Sequence, residues 1–164
     1  MRISLLLTSA IMLIALLFLC MSFSCDNRLK DKDFTYYKYH VGNGYSGQSY
    51  DYMIYEKDGV VIASINECNY LMMRDDTIPC KERVVKDVPR EKLEQVGKLL
   101  VDAQVQKWES YYNNPDVFDG DNWSVSIQFG DQKFDSNGYM NWPNKAPFRA
   151  INEIIVEICG SSQE

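Results

Sequence analysis

The chain has 164 residues, enough for one domain and short for two of ordinary size. Its 23 acidic residues outnumber 17 basic ones, and the formal net charge of −6 argues against nucleic acid or an anionic lipid surface as a partner of the folded part. One histidine, His40, and no Cys-x-x-Cys pair set aside a Cys/His zinc site, so neither a metal nor a cofactor is expected.

The chain opens with a leader. Arg2 is the only charge before Asp26, and the residues between are almost wholly apolar, ending in Leu-Phe-Leu-Cys-Met-Ser-Phe-Ser-Cys at Cys25. Three fates compete for this stretch. Cys20 follows the bulky Leu19, a poor fit for a signal peptidase, whereas Cys25 follows the small Ser24 where the apolar run gives way to Asp26. "SFSC" therefore resembles a lipobox, with Ser22 where an aliphatic residue is usual and Phe23 larger than usual. An uncleaved helix is physically available, since Ile3 to Ser24 supplies 22 residues, and a bilayer core needs about 20. Ordinary cleavage leaves Cys25 without a purpose. The expected outcome is a signal peptide over 1–24, with palmitate and other acyl chains on Cys25 anchoring the protein to a membrane of a Gram-negative cell envelope, the outer membrane foremost. A polar tether over 25–33 then leads into a single domain over 34–160.

"FTYYKYHV" (Phe34 to Val41) predicts an aromatic strand and "GNGYSGQS" a glycine-rich loop. Next come "YDYMIYEK" and "VVIASIN", joined by Asp58-Gly59, the strongest short hairpin signal. Pairing Lys57 with Val60 places Tyr50, Tyr52 and Ile54 on the same face as Val61, Ala63 and Ile65. "NYLMM" and "ERVVKDV" read as further strands around a polar turn near Asp75 and Asp76. "VPREKLEQVGKLLVDAQVQKWESYY" predicts a helix, with Pro89 in its first turn and Leu93, Val96, Leu100 and Ala103 at helical spacing. Gly97 costs that helix about 1 kcal/mol relative to alanine.

"WSVSIQF" alternates cleanly, with Trp123, Val125, Ile127 and Phe129 on one face, and a Gly130-Asp131 turn pairs Ile127 with Phe134. "NGYMNWPNKAP" reads as a loop. A last helix runs from Phe148 to about Cys159, turns Phe148, Ile151, Ile155 and Ile158 inward, and stops at Gly160. Strands, helix, hairpin, helix: the order predicts an α+β domain, an antiparallel sheet with two helices on one face.

Several residues carry candidate chemistry. Seven tyrosines fall between Tyr36 and Tyr55, and an exposed set of such rings can grip a protein or a glycan; Tyr37, Tyr39, Tyr45 and Trp142 are the candidate ligand surface. The plainer alternative is that alternate tyrosines pack beneath the helices. Asp116, Asp119 and Asp121 cluster, but no glutamate follows at EF-hand distance and Asp-Gly is a common turn, so metal binding is not expected. His40 has no visible nucleophile or orienting group. In an oxidising compartment Cys68 and Cys80 are the pair expected to bridge, with Cys159 left free.

The stretch "DGDNWSVSIQFGDQKFDSNGYMNWPNKAPF" resembles a family of small bacterial lipoproteins without assigned function. In these, Asp-Gly-x-x-Trp opens an alternating strand and Ser-x-Gly-Tyr-x-x-x-Pro leads to a terminal helix. The resemblance covers Asp119 to Phe148 and implies a shared fold, with no catalytic residues to carry over. Two functional expectations follow. The first is a lipid-anchored, non-enzymatic envelope module that binds a protein or glycan. The second is an envelope hydrolase using acidic residues such as Asp119 and Asp121.

Overall fold

A computed structural model describes residues 29–69, 80–117 and 120–160. Cys20 and Cys25, the expected strand at Leu71, the turn at Asp75 and Asp76, and Asp119 lie outside these residues. A 3₁₀ turn (Asp31–Asp33) leads into β1 (Phe34–Asn43), β2 (Gln48–Lys57), β3 (Val60–Asn69) and β4 (Lys81–Lys86). Helix α1 (Arg90–Asp102) and a second 3₁₀ turn (Val105–Lys107) follow, then β5 (Tyr111–Asn113), β6 (Asp121–Phe129), β7 (Gln132–Tyr139) and α2 (Lys145–Gly160). The strands form one seven-stranded sheet, ordered β4-β3-β2-β1-β6-β7-β5. Every neighbouring pair is antiparallel except β5 with β7.

Turn chemistry sets the registers. Asp58 and Gly59 both take positive φ (53° and 78°), and Lys57 pairs with Val60, so Ile54 faces Ala63 and Tyr52 faces Ile65. The second hairpin likewise pairs Ile127 with Phe134. The central pairing of β1 with β6 then lines up Tyr37 with Ile127 and Tyr39 with Val125. One face thus collects Tyr37, Ile54, Ala63, Ile65, Trp123, Val125 and Ile127, all buried. Both helices cover that face, α1 against β1 and α2 across β3, β2 and β4. They contribute Leu93, Val96 and Leu100 from α1, and Phe148, Ile151, Ile154 and Ile155 from α2.

Four expectations need correction, one of them the tether over 25–33, since Leu29 is buried in the core and the Asp31–Asp33 turn packs against α1. The first helix ends at Asp102, because Gln104 takes a left-handed conformation (φ 54°) that turns Val105 into the core and lets the Trp108 indole N–H donate to the Ala103 carbonyl (3.2 Å). The residues expected to extend it, Tyr111 and Tyr112, instead lie in β5, the one parallel strand. The last helix starts earlier than Phe148, at Lys145. Asn144 caps it by accepting the Ala146 N–H at 3.0 Å, and Pro147 in the first turn forfeits no helical bond.

Gly97 also has a structural reason. A β-carbon there would stand 2.6 Å from the Asp31 carbonyl oxygen and 2.7 Å from the Phe34 β-carbon, so the glycine lets α1 press against the chain entering the sheet. Cys68 and Cys80 are joined by a disulfide with Cα atoms 4.5 Å apart. The β3–β4 register explains this, since pairing Glu67 with Lys81 sets the next two residues directly opposite. Cys159 is buried and free, and burial raises its thiol pKa, which keeps it protonated and inert.

Candidate groove between the terminal helix and the sheet

Where α2 crosses the sheet it leaves part of the helix-side face uncovered, and a groove of about 580 Å³ opens there. Its floor is Tyr39, Val41 and Tyr52; its wall is the flank of α2 that carries Arg149, Asn152, Glu153 and Val156. Trp142 closes one end and Asp121 stands where the groove meets a second hollow, of about 460 Å³, lined by Tyr45 and Tyr50.

Each lining residue is placed by a local cause. Met140 adopts a left-handed conformation (φ 50°), and its N–H donates to the Asp121 carbonyl at 2.9 Å, folding the turn after β7 back onto the start of β6. Trp142 then lies parallel to Trp123, with centroids 6.1 Å apart and planes at 15°. The Trp123 indole N–H donates to the Asn141 carbonyl (2.6 Å), and the Trp142 indole N–H donates to the Tyr39 hydroxyl (3.3 Å). The Lys145 ammonium stands 3.5 Å from the Trp142 ring centroid, a cation–π contact. Lys145 thus occupies one face of Trp142, while Trp123 lies beside it as an offset, near-parallel neighbour.

Tyr37, Tyr39 and Tyr52 share the helix-side face, and the position of α2 over that face divides them. Tyr37 is 0% exposed and its hydroxyl donates to Asn152 Oδ1 at 3.4 Å, so it is core and not ligand surface, contrary to the sequence expectation. Tyr39 sits on the groove floor, with burial pushing its phenol pKa up to about 12, partly offset by the Trp142 hydrogen bond and reinforced by nearby Asp121. Tyr52 is half-buried with its pKa raised, by burial first and then by Tyr50 and Glu67. Tyr45 is 82% exposed in the loop after β1, outside the groove proper. The structure thus brings Tyr39 and Trp142 together but buries Tyr39 to 5% exposure, so that it too falls short of the expected ligand surface; it sets Tyr45 to one side and removes Tyr37.

Asp121 lines the groove, and its Oδ1 accepts from Asn43 Nδ2 at 2.8 Å. Asp116 is exposed, its N–H donating to Asn114 Oδ1 at 3.2 Å. Among the described residues no group of three His, Cys, Asp or Glu side chains converges as a metal site, and no helix is long and apolar enough to cross a membrane. His40 does have an orienting group: its Nδ1 lies 2.7 Å from Asp51 Oδ1 on the face of the sheet opposite the helices. The cross-strand pairing of positions 40 and 51 supplies that contact, which an unpaired reading of the sequence misses. The residues most clearly missed from sequence are Arg149, Asn152 and Glu153, whose spacing marks one flank of α2. In comparisons with known proteins, no family model and no curated sequence matches this chain.

Proposed function

We propose that this protein is a lipid-anchored module of a bacterial cell envelope that binds, rather than transforms, an envelope protein or glycan in the groove beside α2. The charged start, apolar run and "SFSC" of the leader support acylation at Cys25. The bridge between Cys68 and Cys80 fits a domain that folds on the oxidising side of a membrane. One observation carries the binding role: a groove of about 580 Å³ with an aromatic floor and charged side chains along one wall. Any tether between Cys25 and the domain is shorter than the expected 25–33, because Leu29 is already buried in the core.

Radiolabelled palmitate fed to expressing cells tests the anchor. Label on the wild type and none on Cys25→Ala is the expected result. Unlabelled, membrane-bound chain still beginning at Met1 would mean that the leader stays as a helix.

A hydrolase acting through Asp119 and Asp121 is the second reading, favoured by the position of Asp121 on the groove. The Asn43 bond to its Oδ1 is what a structural clamp between β1 and β6 requires. Turnover of fluorogenic glycosides or peptides by the wild type but not by Asp121→Asn would support that reading instead.

A further inference from the structure

The wall of the groove carries an ordered set of charges. Lys145, Arg149, Glu153 and Glu157 all line it and recur every fourth residue along α2, two cations followed by two anions. At 1.5 Å per residue this ladder is about 18 Å long. Its order is wrong for helix stability. The N-terminal end of a helix favours anions and the C-terminal end cations, yet the first turn of α2 holds no acidic residue and its last turn no basic one. Arg149 preceding Glu153 is also the weaker orientation for a pair four apart, and among the described residues neither side chain makes an ion pair or hydrogen bond. Glu157 is already engaged by Lys92 at 3.5 Å, and Lys145 lies over Trp142. A charge pattern that works against its own helix, lines a groove and leaves its two central members unpaired there is matched to something outside the fold.

Taking the groove as the ligand site, as proposed above, we infer that its occupant is a short extended peptide. It carries an acidic side chain and, two to four residues away, a basic one, with the acid beside Lys145 and Arg149 and the base beside Glu153. The spacing comes from matching two repeats. Along α2, Glu153 lies about 6 Å from Arg149 and about 12 Å from Lys145, and an extended peptide advances about 3.3 Å per residue. Between the charges, apolar or aromatic residues meet Val41, Tyr52 and Val156. A neutral glycan fits less well. Sugars dock on open ring faces, and here Lys145 sits over the Trp142 ring at 3.5 Å while Tyr39 is 5% exposed.

The test uses the full chain, solubilised in detergent, and blocked tetrapeptides, acetylated and amidated at their ends. The probes are Glu-Val-Tyr-Lys, Glu-Val-Tyr-Glu, Lys-Val-Tyr-Lys and Gln-Val-Tyr-Gln, with chitotriose as the neutral glycan. Binding is read from the indole N–H resonance of Trp142, assigned with Trp142→Phe. Glu-Val-Tyr-Lys should bind at least tenfold tighter than the other three peptides. Arg149→Glu should cost it at least fivefold and shift preference toward Lys-Val-Tyr-Lys. Peptides that bind without regard to charge, or chitotriose binding in their place, would overturn the peptide assignment while leaving the groove as a ligand site. Shifts that appear on concentrating the protein alone would make a second copy the occupant and also overturn it. If no probe moves a groove resonance, both the assignment and the binding reading fall.

Discussion

Replacing Gly97 by alanine sets two opposed effects against each other at one atom. In an exposed helix interior the change stabilises by about 1 kcal/mol, through helix propensity and a stiffer unfolded chain. Here the new β-carbon would stand 2.6 Å from the Asp31 carbonyl oxygen, 2.7 Å from the Phe34 β-carbon and 3.2 Å from its γ-carbon. Carbon contacts are comfortable at about 3.5–4.0 Å, so something must retreat by roughly 1 Å. Neither neighbour is a flexible tip. The Asp31 oxygen accepts the Phe34 N–H, and the Phe34 side chain is 1% exposed in the core. Overpacking of this kind costs about 1–3 kcal/mol, and moving α1 away also loosens its contact with β1. The net expectation is a loss of about 1–2 kcal/mol, or roughly 4–8 °C in melting temperature for a domain of this size. Urea denaturation followed by tryptophan fluorescence measures it. Gly44→Ala is the control, because a β-carbon there meets nothing within 4 Å. A Gly97→Ala protein as stable as the wild type, or more so, would refute the close approach of α1 to the entering chain.

At Gly138 a β-carbon would lie 2.7 Å from both Trp123 Nε1 and the Tyr112 carbonyl oxygen, so Gly138→Ala should cost about 2 kcal/mol and perturb the Trp123 indole N–H resonance. Removing the Cys68–Cys80 bridge, whose partners are 12 residues apart, should cost about 3 kcal/mol in the chain-entropy account; an unchanged urea midpoint after Cys68→Ser with Cys80→Ser would contradict it. Tyr39 imposes an alkaline limit, because its phenol rises from an ordinary 10.0 to about 12 in the fold. Below pH 10 its contribution is fully present, and it is lost as pH climbs toward 12, where only the unfolded chain ionises readily, a loss of about 2–3 kcal/mol. Urea midpoints between pH 9 and 12 should fall more steeply for the wild type than for Tyr39→Phe, and equal slopes would reject the assignment.

The hairpins were legible because turn chemistry and strand period point to one register. Asp58-Gly59 aligns Ile54 with Ala63, and Gly130-Asp131 aligns Ile127 with Phe134. The end of α1 was not, because Val105 and Trp108 continue the helical spacing and only the tertiary context holds Gln104 left-handed. β5 is three residues long, too short to show a period. The groove was half legible. Tyr39 and Trp142 stood out as aromatic residues, but which β1 tyrosine reaches the groove, and that Tyr39 does so with only 5% exposure, depends on the position of α2. Starting α2 at Phe148 rather than Lys145 also cut Lys145 from the charge ladder, which hid its four-residue period.

The most direct test of a binding groove is site-specific photocrosslinking in living cells. A benzophenone amino acid replaces Val156, 44% exposed on the groove wall, or Val84, 47% exposed on the face of the sheet opposite the helices. Defined adducts from Val156, absent from Val84 and lost when Arg149→Glu is added, are the predicted result. Adducts from Val84 alone, or from both sites regardless of Arg149, would contradict a ligand in the groove.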